Sequence, residues 1–174
     1  MVESTNSYEL FKDLKTSDIY RSLSRPIIIA DDIRTPENLG SIIRLGANIG
    51  ALKVIFISER GKDFKTFKIA KTASGADKKI PWLFVDDFIS ARKIIPPDYQ
   101  LVSIETSSKS KNIFGTKMPE KVCFVIGNEV KGIRTEIINH SYEVLHIPIP
   151  GIISSLNVTH ALSIALFEWF RQMK

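Results

Sequence analysis

Arg44 stands where its side chain could act on a phosphate or a hydroxyl group. Thr35 and Pro36 have the residue types expected at the start of a helix, and Gly50 has the type expected just beyond its end. Arg44 lies on the polar face of this predicted helix, and Gly40, one turn earlier, is expected to leave the guanidinium open to an approaching group. A planar guanidinium can engage two oxygen atoms at once. An arginine on an ordinary solvated face is the alternative.

A tight loop further along the chain offers a carboxylate. Gly127 and Gly132 bracket Glu129, so this loop can bring its backbone close to a ligand while the Glu129 side chain projects from it. The spacing of the glycines differs from the phosphate-binding fingerprints of nucleotide-binding folds. Asn38, in the first turn of the helix that carries Arg44, adds an amide to this set of polar groups.

The segment 144–172 combines a rigid loop with an apolar helix. Pro148 and Pro150 remove two backbone donors and favour extended neighbours, and Gly151 permits a turn. The helix predicted over 157–170 is apolar on nearly every face, so we expect it to be buried. A polar loop that leads into a buried helix can hold a small ligand through backbone groups. A well-capped helix after a tight connection is the alternative.

Strand and helix patterns alternate along the chain. Short, continuous apolar runs predict strands that are buried on both faces, as in parallel sheets. The predicted strands are 26–30, 52–57, 82–85, 101–105, 121–126 and a short one that ends at Ile147. Helical segments between the strands predict an α/β fold, with a mainly parallel sheet and helices on both faces. We expect a short helical extension over 1–25 and a main domain over 26–174.

Composition bounds the class of protein. The 174 residues, 44% of them hydrophobic, suit one domain with a proper core. No apolar run approaches the roughly 20 residues of a membrane helix, and the N-terminus lacks a signal-peptide pattern, so we expect a cytoplasmic protein with no membrane partner. Cys123, the only cysteine, lies in an apolar run and is expected to be buried. The three histidines lack metal-ligand spacing, so no metal is expected.

Positive charge is concentrated in one stretch. Residues 60–79 hold seven basic and two acidic residues, which accounts for the whole formal net charge of +5. Lysine and arginine side chains neutralise phosphates and release counterions, so such a stretch suits a nucleic-acid backbone. A solvated surface loop is the alternative, and charge alone does not exclude it.

Three motifs, in this order along 26–172, together resemble the SpoU, or TrmH-like, group of SPOUT RNA methyltransferases. They are Asn38-(x)5-Arg44, Gly127-Asn128-Glu129-(x)2-Gly132 and Ile147-Pro148-(x)2-Gly151-(x)3-Ser155-Leu156-Asn157-Val158. The resemblance implies an α/β domain with a C-terminal trefoil knot that binds S-adenosyl-L-methionine. It also implies an obligate homodimer that methylates a ribose 2′-OH in tRNA or rRNA.

The resemblance assigns roles to individual residues. The positions that match the family's catalytic groups are Arg44, Asn38, Glu129, Ser155 and Asn157. Those that match its cofactor loops are Thr106, Gly127, Ile147 and Leu156. The stretch that begins at Lys71 resembles the family's RNA-facing segment, and we expect Lys78 and Lys79 to bind RNA with it.

The RNA target and the assembly are less closely defined. We expect no separate N-terminal RNA-binding domain, unlike many members of the family, and compact size alone favours tRNA over rRNA as the partner. A non-catalytic RNA-binding module and a small-molecule methyltransferase are the competing functions. Aromatic residues near the C-terminus exceed what one helix end needs to bury, so we expect a homodimer interface that includes this helix and the helix of Arg44.

Overall fold

The computed structural model describes residues 6–174, except for the side chains of Tyr8 and Lys62. It contains one sheet in which every neighbouring pair of strands is parallel. The strands are β1 (Ile27–Asp31), β2 (Lys53–Ile57), β3 (Trp82–Val85), β4 (Gln100–Ile104), β5 (Lys111–Asn112), β6 (Val122–Ile126) and β7 (Glu143–His146). Their order across the sheet is β3-β2-β1-β6-β4-β7-β5. The predicted parallel sheet is confirmed, and β5 is an edge strand that no sequence pattern indicated.

Helices cover both faces of this sheet, as predicted. They are α1 (Ser7–Leu10), α2 (Thr16–Ile19), α3 (Pro36–Ile49), α4 (Thr66–Ala73), α5 (Phe88–Lys93), α6 (Thr135–His140) and α7 (Val158–Met173). One buried cluster lies between the sheet and α3, α4 and α7, and a second lies under α5 and α6. α1 and α2 fall within the expected extension, whose first five residues lie outside the described part. The domain division and the trefoil knot stay predictions.

The predicted bounds of α3 are confirmed by its caps. The hydroxyl of Thr35 accepts a hydrogen bond from the backbone N–H of Asn38, and Gly50 ends the helix in the left-handed conformation at φ 72°. A residue with a Cβ is disfavoured at that angle, so glycine is needed there. The central strands β1 and β6 are buried along their whole length, as expected for strands covered on both faces.

The expected role of Gly40 is wrong. Gly40 is buried under α4 and does not open an approach to Arg44. A Cβ built on Gly40 would lie 1.9 Å from Oγ1 of Thr72 and 2.3 Å from the carbonyl oxygen of Ile69. The missing side chain therefore lets two helix backbones come into direct contact.

The expected burial of α7 holds for one side of the helix only. Leu162, Leu166 and Trp169 are fully buried, whereas Phe167 is 49% exposed. Only one side of α7 meets the sheet and α3, so Phe167 faces outward on the other side together with His160 and Arg171. α7, like every other described helix, falls short of the length and apolar character needed to cross a membrane.

Candidate active site

A cleft lies at the carboxyl ends of β4, β6 and β7, where open α/β sheets bind ligands. Its volume is about 240 Å³. Six of the residues predicted for function line it: Thr106, Gly127, Glu129, Ile147, Ser155 and Leu156. The structure thus brings together all four positions predicted for the cofactor and two of those predicted for catalysis.

The loop after β7 forms one wall of the cleft. Among described residues, no backbone group between Pro148 and Leu156 has a hydrogen-bond partner within the chain. The next residue, Asn157, is the N-cap of α7, and its side-chain oxygen accepts hydrogen bonds from the backbone N–H (2.8 Å) and the hydroxyl (2.6 Å) of Thr159. The capped helix therefore fixes one end of a wall whose backbone donors and acceptors are free to meet a ligand.

The loop 127–132 forms the opposite wall. Asn128 and Gly132 exchange two backbone hydrogen bonds, of 3.1 and 2.9 Å, which close the loop on itself. A Cβ on Gly127 would lie 2.3 Å from the carbonyl carbon of Gly132, and Gly132 has φ 70°. Both glycines are therefore required by the closed loop, and Glu129 projects from its middle.

Acidic residues that sequence reasoning missed hold this loop in place. Asp31, at the end of β1 and 1% exposed, accepts three hydrogen bonds from Arg134, of 3.0, 2.8 and 2.5 Å. Glu105, directly after β4, accepts from the backbone N–H of Ile133 at 2.9 Å. Acidic side chains immediately after buried strands were the signal that could have identified both residues, because such positions face the ligand edge of a parallel sheet.

Asn38 and Glu129, which are 91 residues apart in the chain, meet directly. The Asn38 amide donates to Oε1 of Glu129 at 2.6 Å, and the backbone N–H of Arg34 donates to Oε2 at 3.4 Å. The start of α3 thus orients the Glu129 carboxylate at the cleft.

Arg44 does not join this pair. It lies roughly 9 Å along the helix axis beyond Asn38, is exposed and does not line the cleft. Within the described residues it has no ion pair or side-chain hydrogen bond. Its guanidinium is therefore available to a group outside this chain.

The predicted RNA-binding lysines are all exposed. Lys71 lies on α4, and Lys78 and Lys79 follow in the short turn after it. α4 packs on α3, so this basic surface adjoins the helix that carries Arg44. In the part of the chain that is described, no group of three or more His, Cys, Asp or Glu side chains is arranged to hold a metal ion.

Proteins of known sequence provide close comparisons. The chain is 29% identical over 147 residues to the 23S rRNA (guanosine-2′-O-)-methyltransferase RlmB of Xylella fastidiosa, which covers 84% of this chain and 58% of that protein. It is also 29% identical over 156 residues to RlmB of Escherichia coli K12, covering 89% of this chain and 64% of that protein. This chain thus spans about three fifths of the length of these relatives.

Solved structures give the same picture. The TrmH/SpoU tRNA modifying enzyme of A. aeolicus is 26% identical with a TM-score of 0.77, over 94% of this chain and 82% of that one. The AdoMet-bound rRNA methyltransferase of Sinorhizobium meliloti is 26% identical with a TM-score of 0.75, over 90% of this chain and 60% of that one. The sequence profile of the SpoU rRNA Methylase family matches residues 25–167, most of the chain, and this chain therefore belongs to that family.

Proposed function

We propose that this protein transfers a methyl group from S-adenosyl-L-methionine to a ribose 2′-OH of RNA. The observation that carries the proposal is the cleft between loops 127–132 and 147–157, with the Asn38–Glu129 pair at its edge. Membership of the SpoU family and the AdoMet-bound relative from S. meliloti support it. The expected trefoil knot and the cytoplasmic location are parts of the same proposal.

The residues of the cleft fit this cofactor. Apolar side chains such as Ile147 and Leu156 can enclose an adenine ring, while free backbone groups of the same loop recognise its polar edge. Thr106 and Gly127 offer polar and backbone groups on the facing walls. Two carboxylates that line the cleft, Glu105 and Glu129, suit a positively charged ligand. When bound, the cofactor supplies an already activated sulfonium methyl group.

The protein must therefore align the acceptor hydroxyl and assist the loss of its proton. We propose that Arg44 orients the 2′-OH together with an adjacent RNA phosphate, because a guanidinium rarely gives up its own proton. Glu129, oriented by Asn38, places its carboxylate at the edge of the cleft. Ser155 and Asn157 complete the proposed set, Ser155 through its hydroxyl at the cleft and Asn157 by capping α7 beside it.

Arg44 lies outside the cleft of its own chain, which bears on the assembly. We propose a homodimer through α3 and α7, because it would bring groups of a second chain to Arg44. The outward-facing Phe167 on α7 supplies an apolar contact for such an interface.

Two RNA classes are candidates for the substrate. We propose tRNA first, because the TrmH/SpoU tRNA modifying enzyme of A. aeolicus matches 94% of this chain. 23S rRNA is the second candidate, because the RlmB relatives act on it. The lysines at positions 71, 78 and 79 would bind the phosphate backbone of either RNA.

The test is methyl transfer by the purified protein to a tRNA pool and, in parallel, to 23S rRNA. Mass mapping of the products should show one added methyl on one nucleotide class. The same RNA with a 2′-deoxy sugar at the mapped position should accept none, and methylation of that RNA would make the acceptor a base atom. Titration calorimetry with S-adenosylhomocysteine should show one site per chain, and the absence of binding at millimolar ligand would leave only an RNA-binding module.

A further inference from the structure

The basic helix α4 carries a phenylalanine that the fold does not use. Phe67 is 67% exposed, more than any other aromatic side chain that the structure describes. The nearby Phe64 behaves differently, since its ring stacks on Phe84 with centroids 5.8 Å apart and is partly buried. Exposure of Phe67 is therefore specific to its position on α4.

α4 has one buried face and one exposed face. Ile69 and Ala73 are buried against the rest of the domain. Phe67 and Lys71, four residues apart, lie one turn from each other on the opposite face, with Lys68 beside them. All three side chains are exposed.

The other exposed residues of α4 are Thr66, Lys68 and Lys71, which are polar or cationic. α4 contains no acidic residue. The ammonium groups of Lys65, Lys68 and Lys71 have no ion pair or hydrogen-bonded partner among the described residues. A protein interface needs a wider apolar core than one ring among lysines. An aromatic ring flanked by cations matches single-stranded nucleic acid, whose bases stack on the ring while lysines meet the phosphates.

We propose that Phe67 is a stacking platform for an unpaired nucleobase of the RNA substrate, with Lys68 and Lys71 on the flanking phosphates. This inference rests on the proposed RNA methyltransferase function and specifies the part of the RNA that is recognised. α4 is fixed directly on α3 by the close contact at Gly40, so the platform has a set position relative to the helix of Arg44. The enzyme would therefore select RNA with an unpaired base near the methylated nucleotide.

The test measures binding of a fluorescently labelled single-stranded RNA of about 12 nucleotides and mixed sequence, alone and annealed to its complement. Phe67→Ala should raise the Kd for the single strand roughly 5-fold to 100-fold, which corresponds to the loss of one base–aromatic stack. Phe67→Trp should keep the affinity, and Phe67→Leu should lose it as Phe67→Ala does. Duplex affinity and the salt dependence should not change, because no charge is removed.

Two controls separate this proposal from the function on which it rests. Phe114→Ala removes another ring that is 52% exposed, outside α4, and should leave the Kd for the single strand unchanged. S-adenosylhomocysteine should bind every variant with the affinity of the parent protein, which verifies the fold and the cleft.

Each adverse outcome has a distinct meaning. If the parent protein binds no RNA, the proposed function fails together with the platform. If the parent binds and methylates RNA but Phe67→Ala keeps its single-strand affinity, the platform alone is overturned, and the exposed ring is then better explained as a contact for another protein. Equal binding by Phe67→Leu and the parent would likewise overturn stacking, since leucine supplies apolar area without an aromatic face.

Discussion

Single residues at this site owe their positions to partners far away in the chain. Glu129 projects from a loop after β6, yet it is oriented by the amide of Asn38 at the start of α3. Asn128, in the same loop, donates through its side-chain amide to the carbonyl oxygen of Asp32 at 2.8 Å. Asn38 and the loop that carries Asn128 and Glu129 are therefore hydrogen-bonded to each other, and a change in one partner should affect the position of the other.

Arg44 is the residue for which catalysis and binding can be separated. Arg44→Ala should reduce methyl transfer by roughly 10²-fold to 10⁴-fold, the range expected for the loss of positioned help with proton transfer. Because Arg44 lies outside the cleft, S-adenosylhomocysteine affinity from calorimetry should stay the same. Arg44→Lys should lose methyl transfer as well, since an ammonium group cannot reproduce the planar guanidinium, which engages two oxygen atoms at once. Full activity of Arg44→Lys in single-turnover assays would show that charge alone suffices.

Titration of Glu168 should change the free energy of unfolding. Hydrogen bonds from Arg171 and then Gln172 lower its pKa from 4.5 to about 2. A lowered folded-state pKa stabilises the fold above pH 4.5, and this contribution is lost as the pH falls from about 4.5 towards 2. Glu168→Gln should therefore cost about 1–2 kcal/mol at neutral pH and progressively less in acid, measured by urea unfolding.

The matched control is Glu59→Gln, because Glu59 is exposed and has no hydrogen bond or ion pair among the described residues. It should change the free energy of unfolding by less than about 0.5 kcal/mol at any pH. A Glu168→Gln cost that is constant from neutral pH to pH 2 would show that the carboxylate charge is irrelevant.

At the scale of elements, the contact between α3 and α4 links the proposed catalytic helix to the proposed RNA-binding surface. Gly40 makes the contact possible, and Thr72 of α4 reaches across it to the carbonyl oxygen of Pro36 at 3.5 Å. The two helices therefore have little freedom to move independently. RNA held on α4 would be placed in a defined position relative to α3.

Gly40→Ala tests this contact. In an ordinary helix the change stabilises by about 1 kcal/mol, but here the new Cβ would meet backbone atoms of Ile69 and Ala73 at 2.3 and 2.9 Å. Backbone cannot withdraw as a flexible side chain can, so we expect a net loss of about 2–3 kcal/mol in chemical denaturation. Gly115→Ala is the control, since nothing lies within 4 Å of its Cβ. A stabilised Gly40→Ala protein would contradict the close packing.

At the scale of the whole molecule, α7 is the helix through which two chains are proposed to associate. Its inner side forms the core with Trp169, while Phe167 on its outer side is 49% exposed. Phe167 would add an aromatic contact to an interface formed by the outer side of α7. We therefore expect the protein to form a homodimer through α7 and α3.

Sedimentation velocity at micromolar concentration should give twice the mass of the chain. Phe167→Glu should shift the protein to monomer, because it would place a charge in the apolar interface. Ile89→Glu is the control: Ile89 is 60% exposed on α5, which covers the other face of the sheet, and the change should leave the dimer intact. A parent protein that sediments as a monomer would rule out this assembly.

The local sequence determined the elements with strong end signals and strong periodicity. Thr35, Pro36 and Gly50 define α3 because capping and left-handed turns depend on nearby residues alone. The bounds of β3, predicted over 82–85, also follow from a short-range pattern. The resemblance to the SpoU family implied that Thr106, Gly127, Ile147 and Leu156 belong to cofactor loops, and the structure puts all four around one cleft.

Tertiary structure alone decided which distant groups meet. Asp31 binds Arg134 across 103 residues because β6 enters the sheet beside β1, an order that no local pattern encodes. Gly40 serves the contact between two helices, which cannot be read from one helix in isolation. The sequence did not show which side of α7 faces outward, since its pattern is apolar on nearly every face and only packing selects the face that the sheet covers. Interactions between residues distant in the chain depend on the path of the backbone, and that path is set by the whole core.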